Sequence, residues 1–284
     1  MNNKNDSEFS KSIPVAIGGV GGSGTRLVST FLRQLGYYLG GDLNDEGDNL
    51  WFSLLFRRRS VLSESLEDVG LLYHIFRRRM QGLLPQSEME LALLESLCER
   101  SRLHHDESWL RDRKASFCTI ETSALPTTQR ERWGWKEPNT HVLLERLLDC
   151  EPKLKYIHVI RSGLDMAFSS NQNQVQLWGK ALFNLDSIDS PAQSLKYWCE
   201  SHRRVLKVAK AHPDNFLLLD YDALCRKPAV TLVKLYAFLD FNPSKEQIFA
   251  NLNFIEPSKS EGRFRARDLS AFDQADLDYV AELG

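Results

Sequence analysis

The run Gly18-Gly19-Val20-Gly21-Gly22-Ser23-Gly24-Thr25-Arg26 is the part of the sequence best suited to chemistry. Glycines without a Cβ let successive backbone N–H groups close around an anion, and a helix starting at Thr25 would add its positive end. Gly19 and Gly24 have the spacing of the nucleoside-triphosphate loop GxxxxGK[ST], but Thr25 and Arg26 stand where that loop has its lysine and hydroxyl. Enzymes that move phosphoryl groups use that pair to hold the terminal phosphates and magnesium, so its loss argues against metal-assisted phosphoryl transfer. Arg161, at the end of an apolar run, offers a planar fork of donors, and Ser169 a hydroxyl two helical turns later. Lys136, between Trp135 and Glu137, supplies a further cation in apolar surroundings. Asp42, Asp45, Glu46 and Asp48 form an acidic cluster that, with Glu137 and His141, gives the candidates for a general base.

Positioning these groups needs strands that end where loops begin. Ile13–Gly18 is a short apolar run leading into the glycines, and Thr25–Leu35 has helical spacing through Leu27, Val28, Phe31, Leu32 and Leu35. The same order returns at Leu154–Ile160 with Leu164–Gln176, and at Asn215–Leu219 with Thr231–Leu239. Continuous apolar strands alternating with helices predict an α/β fold, with a mostly parallel sheet covered by helices on both faces. Trp51–His105 shows no convincing strand and patterns as helix over Met89–Leu103, predicting a helical insertion, about residues 51–118, after the first βα unit. It carries Arg57-Arg58-Arg59 and Arg77-Arg78-Arg79; such runs serve as solvated helix faces or as a cradle for an acidic acceptor. Neither a repeat nor a low-complexity linker divides the chain, so one domain over residues 13–284 is expected behind a disordered tail, Met1–Ser12.

Composition narrows the classes. Hydrophobic residues make up 42% and charged residues 26%, the balance of a folded globular protein. A formal net charge of -2 offers no global field for nucleic acid. Five scattered cysteines without a CxxC spacing suggest neither a disulfide framework nor a zinc site, and a reducing, cytoplasmic compartment is expected. His104-His105 comes without any HExxH or Cys/His spacing, so no metal is expected. The polar N-terminus lacks the apolar core of a secretory signal, and no run reaches the roughly 18 apolar residues of a membrane span.

These patches together resemble the sulfotransferase superfamily, in particular the enzymes that use 3'-phosphoadenosine 5'-phosphosulfate (PAPS) on a P-loop NTPase-like fold. GVGGSGTRLVSTFL is similar to the family's 5'-phosphosulfate loop: Ser23, Gly24 and Thr25 match directly, and Arg26 matches the heparan-type variant with arginine after the threonine. Tyr156–Ser169 resembles the 3'-phosphate motif through Arg161 and Ser169. Lys136-Glu137-Pro138 resembles the patch beside the transferred group, Leu219–Leu224 the Tyr-Glu-Asp-Leu stretch, and Pro257–Phe264 the segment that closes over the 3'-phosphate.

The resemblance implies a metal-free sulfotransferase with PAPS as co-substrate. Gly21, Gly22, Ser23, Gly24, Thr25 and Arg26 would hold the 5'-phosphosulfate, Arg161, Ser169 and Arg263 the 3'-phosphate, with Tyr221 among the cofactor contacts. Arg26, Lys136, Asp48 and Glu46 would carry the chemistry, and Tyr197 and Trp198 are placed either on adenine or in the core. The acceptor is expected to be a small molecule, glycan or lipid bearing a hydroxyl or amine, with no nucleic acid partner. One position departs from the family. Gly22 replaces the basic residue that usually precedes Ser-Gly-Thr, so either Arg26 or Lys136 takes its role or catalysis is weakened. Two alternatives stay open: a P-loop kinase of a small metabolite, and a PAPS-binding protein that has lost its chemistry.

Overall fold

The computed structural model describes residues 12–100, 102–119, 131–185, 190–256, 258 and 260–283. The expected tail, apart from Ser12, and Pro257 and Lys259 of the C-terminal patch lie outside these residues.

Four parallel strands form one sheet in the order β2-β1-β3-β4: β1 Val15–Gly19, β2 Gly134–Lys136, β3 Lys155–Ile160 and β4 Phe216–Asp220. The expected α/β class is present. Helix α1 (Thr25–Gln34) follows β1; α2 (Leu50–Phe56), α3 (Leu66–Met80), α4 (Glu88–Cys98) and α5 (Glu107–Phe117) precede β2. Then α6 (Leu144–Cys150) leads to β3, α7 (Gly163–Ala167), α8 (Asn173–Phe183) and α9 (Pro191–Ala211) separate β3 from β4, and α10 (Tyr221–Arg226), α11 (Pro228–Phe238), α12 (Lys245–Asn253) and α13 (Gln274–Leu283) follow.

Period-two alternation along the strands separates two cores. Val15 and Ile17 of β1 and Ile157 and Val159 of β3 pack with Phe31 and Leu32 of α1 and Leu232 and Leu235 of α11. Ala16, Tyr156 and Ile160 belong to the other core, with Trp135 of β2, Phe52 and Phe76 of α2 and α3, and Trp198 of α9. Tyr197 and Trp198 are therefore core residues.

Three details differ from the periodicity. β2 spans only three residues, too short for any alternation to reveal, and is a strand because Gly134–Lys136 pairs with Val15–Ile17. The helix expected over Leu164–Gln176 is two helices. Gln172 Nε2 donates to the carbonyls of Met166, Ala167 and Ser169, and Ser169 Oγ accepts from the N–H of Asn171, so side chains compete with helix propagation between them. The helix expected to reach Leu103 ends at Cys98, and Arg102 donates to the Ser53 and Leu54 carbonyls at the C-terminal end of α2.

Three histidines line the interior next to β3. His158 on β3 lies 5.0 Å, ring centre to ring centre, from His202 of α9 and 6.0 Å from His141, and all three are buried. Burial holds His141 at about 3 and His202 at about 4, and drives His158 well below the usual imidazole range, so all three are neutral. Because these folded pKa values lie below that of an unfolded histidine, the unfolded chain binds more protons below about pH 6.5, and stability falls as pH falls through that window. Glu137 opposes this: its carboxyl is raised from 4.5 to about 7, chiefly by burial, so it favours the folded state as pH drops from about 7 to 4.5. Three groups outweigh one. Urea unfolding at pH 5 is expected to give a stability several kcal/mol below that at pH 7.5, and His202→Gln is expected to flatten the dependence; equal stability at both pH values contradicts the neutral cluster.

Candidate active site

Since every strand runs the same way, the loops after all four emerge at one edge, where α/β sheets place their ligands. That edge gathers Val20–Gly24 after β1, Lys136 and Glu137 at β2, Arg161 after β3 and Tyr221 after β4.

The glycine loop is built for close approach. Gly22 and Gly24 have φ of +91° and +96°, in the left-handed region, and Gly24 is the N-cap of α1. Tyr221 lies against Gly24 so closely that a Cβ there would fall 2.1 Å from its Cδ2. Thr25 is buried, and Ser23 is buried with its Oγ lacking a hydrogen-bond partner among the described residues. That orphan hydroxyl, left-handed backbone and a helix N-terminus of ten residues make a set of neutral donors suited to an anion. From below, Gln174 of α8 fixes the loop, donating from Nε2 to the Gly19 carbonyl at 3.1 Å and accepting at Oε1 from His141 Nε2 at 3.2 Å.

A second donor group stands across the loop. Arg161 Nη2 donates to Ser258 Oγ and to Ser260 Oγ at 2.5 Å, Nη1 lies 3.4 Å from the Gly22 carbonyl, and the guanidinium sits 5.0 Å from the Tyr221 ring. Ser169 Oγ lies 3.8 Å from the Cβ position of Gly22. Arg263 donates to the Ser260 carbonyl at 3.4 Å and to the Phe168 carbonyl at 3.5 Å. Arg161, Ser169 and Arg263 are thus gathered about the loop. Sequence reasoning missed the residues that hold them there. Asp165, buried on α7, accepts from the N–H groups of Gly262 and Phe264 and so ties down the C-terminal segment, while Asp222 accepts from Ser162 N. Their partners are backbone groups remote in sequence, which no local pattern announces.

Lys136 is 2% exposed, and lies opposite Ile17, two residues short of Gly19. Its Nζ is salt-bridged to Asp48 and donates to the Glu46 carbonyl at 3.1 Å. Asp48 is held in turn by Asn44 Nδ2 at 3.0 Å. The other acids divide by position. Glu46 pairs with Arg26 at 2.9 Å across an exposed surface, Asp42 with Arg113 at 3.1 Å, and Asp45 is exposed. Glu137 is fully buried, accepting from Asn139 N at 2.6 Å and Nδ2 at 2.7 Å, which makes it the cap of the turn after β2. His141 is likewise buried on Gln174. Among the described residues, no group of three or more His, Cys, Asp or Glu is placed to hold a metal ion.

The family model described as "Sulfotransferase family" matches residues 14–244. The chain belongs to the sulfotransferase family. No curated protein matches it. Among solved structures it is similar to the sulfotransferase domain from the curacin biosynthetic pathway, with TM-score 0.50 and 16% identity over 96% of this chain and 97% of that one. It is also similar to the sulfotransferase domain of the Synechococcus PCC 7002 olefin synthase (0.48, 18%, 96% and 94%) and to sulfotransferase STF9 from Mycobacterium avium (0.47, 16%, 99% and 79%).

Within this sulfotransferase the two arginine runs differ. Arg77 pairs with Glu151 and Arg78 with Glu90, while Arg79 is buried 3.9 Å from the Trp51 ring, so the second run holds helices together. The first run lines a cavity beyond α2. Among the described residues no helix is long and apolar enough to cross a membrane.

Proposed function

We propose that this sulfotransferase transfers the sulfuryl group of PAPS to a hydroxyl or amine acceptor, by in-line displacement and without metal. The observation that carries this reading is the pair of buried Lys136 with Asp48 at the sheet edge, beside an anion loop that lacks the P-loop lysine. Gly21, Gly22, Ser23, Gly24, Thr25 and Arg26 take the 5'-phosphosulfate; Arg161, Ser169 and Arg263 take the 3'-phosphate, with Tyr221 as the surface under Arg161. In the reaction the acceptor oxygen bonds to sulfur as the bond from sulfur to the bridging oxygen breaks, and the electron pair leaves on the 5'-phosphate. Lys136 neutralises that growing charge, in place of the basic residue absent at Gly22, and Asp48 receives the acceptor proton. Arg26 reaches the phosphosulfate from the exposed rim of the loop, where Glu46 is its ion-pair partner. Residues 13–284 act as one domain with 51–118 on the acceptor side. All five cysteines are free, which supports a reducing, cytoplasmic setting.

Calorimetric titration with 3'-phosphoadenosine 5'-phosphate (PAP) in EDTA tests the donor. Binding is expected without metal, and Arg161→Ala is expected to weaken it about 10- to 100-fold, the loss of charge-assisted hydrogen bonds to a phosphate. Absent binding, or a preference for ATP with magnesium, refutes the reading in favour of the kinase.

A further inference from the structure

A 380 Å³ cavity opens between the C-terminal end of α2, the turn at 102–105 and α8, within the size range of small-molecule sites. Arg57, Arg58, Arg59, Arg102, His104 and His105 line it, and no carboxylate does so among the described residues. Three of the arginines have structural duties. Arg58 is salt-bridged to Glu64, Arg59 donates to the Gln176 and Leu177 carbonyls, and Arg102 caps α2. Of these three, among the described residues, only Arg58 is ion-paired with a carboxylate; the partners of Arg59 and Arg102 are neutral carbonyls. Arg57 differs again. It is half-buried, no side-chain hydrogen bond or ion pair is formed by it among the described residues, and its buried Nε is unpartnered. His105, stacked 3.7 Å from Trp109, likewise leaves a buried Nε2 without a partner. Burial and then Arg57 hold His105 down at about 3, so it faces the cavity as a neutral ring.

Cations without an ion-pair partner and buried polar atoms without a hydrogen bond are costly around a partly open cavity unless an anion satisfies them. The cavity also shares its supporting helices with the catalytic edge. Asp48 immediately precedes the N-cap of α2 and Arg57 is its C-cap, which separates them by about 10–14 Å at 1.5 Å per residue. Arg57 acts electrostatically on Glu137, the neighbour of Lys136, and Leu177 shares α8 with Gln174, which holds the phosphate loop.

We infer that the acceptor is an anion: a hydroxyl compound whose carboxylate or phosphate, about 10 Å from the reacting oxygen, is held in this cavity by Arg57. The inference rests on the sulfuryl-transfer reading for the identity of the reacting end, but the anion site itself does not.

The test uses 8-hydroxyoctanoate, 8-hydroxyoctyl phosphate and, as the uncharged control, methyl 8-hydroxyoctanoate, each titrated calorimetrically into the full chain with and without PAP and then assayed with PAPS. Both anions are expected to bind at least about tenfold tighter than the ester, a difference of about 1.4 kcal/mol. The tighter of the two identifies carboxylate or phosphate as the group recognised. Arg57→Gln is expected to reduce the preference to less than twofold without altering PAP affinity, and Arg57→Lys to keep most of it; thermal melting checks that each variant is folded. Equal binding of ester and anions, or an undiminished preference in folded Arg57→Gln, overturns the inference. Failure of PAP to bind refutes the donor reading instead, while the anion preference in PAP-free protein still decides this one.

Discussion

Lys136→Met is expected to lower turnover by about 10²–10³-fold, the cost of removing one preorganised donor from a developing oxyanion, while PAP still binds within a few-fold of wild type. The expectation follows from where the lysine sits. Its stem is packed on the short edge strand, only 2% of the residue is exposed, and its ammonium is neutralised in the resting protein by Asp48 and the Glu46 carbonyl. A buried ammonium with a carboxylate partner needs no reorganisation when charge grows on a leaving oxygen, and low local dielectric strengthens the interaction. Methionine keeps the volume and removes the charge, which also leaves Asp48 without its cation. Lys136→Arg is expected to recover part of the rate. Unchanged turnover in folded Lys136→Met removes Lys136 from catalysis and returns the charge-neutralising role to Arg26.

Arg26 and Lys136 could not be separated by sequence, and the reason is physical. Both are single cations close to a recognisable motif, and nothing in their neighbours states that one is buried and the other 61% exposed. What was legible is what depends on short-range order: the glycine loop between β1 and α1, Arg161 at the end of β3, and the hydrophobic runs that make a parallel sheet. Long-range placement was not. Asp48 reaches Lys136 across 88 residues and Arg161 reaches Ser260 across 99, through pairings that only the sheet order creates. The cavity was half legible: Arg57-Arg58-Arg59 and His104-His105 were visible as clusters, but one run of arginines looks like another until Glu90 and Glu151 are seen to hold Arg78 and Arg77. β2 shows the limit most sharply, since three residues become a strand only through their neighbour.

Gly24→Ala is expected to damage both stability and nucleotide binding. The backbone at Gly24, φ +96° and ψ +18°, lies in a region that costs an L-residue about 1–2 kcal/mol. Steric overlap adds to this: the new methyl would stand 2.1 Å from Cδ2, 2.4 Å from Cε2 and 2.8 Å from Cγ of Tyr221, so the ring must move, at a further cost of about 1–3 kcal/mol by analogy with overpacked cores. Together these correspond to a fall in Tm on the order of 5–10 °C for a chain of this size. The ring cannot move alone. Tyr221 supports the Arg161 guanidinium from 5.0 Å, and the adjacent Asp222 lies 3.6 Å from Arg161 Nε while accepting from Ser162 N, so displacing Tyr221 tilts the arginine away from Ser258 and Ser260. PAP affinity is then expected to fall at least tenfold in the folded fraction. Tyr221→Ala in the Gly24→Ala background separates the two contributions: it relieves the overlap and leaves the dihedral strain, so part of the Tm returns while PAP affinity, now without its ring, does not. A Gly24→Ala protein that melts within a degree of wild type and binds PAP normally would show that the loop does not approach Tyr221 as closely as this geometry requires.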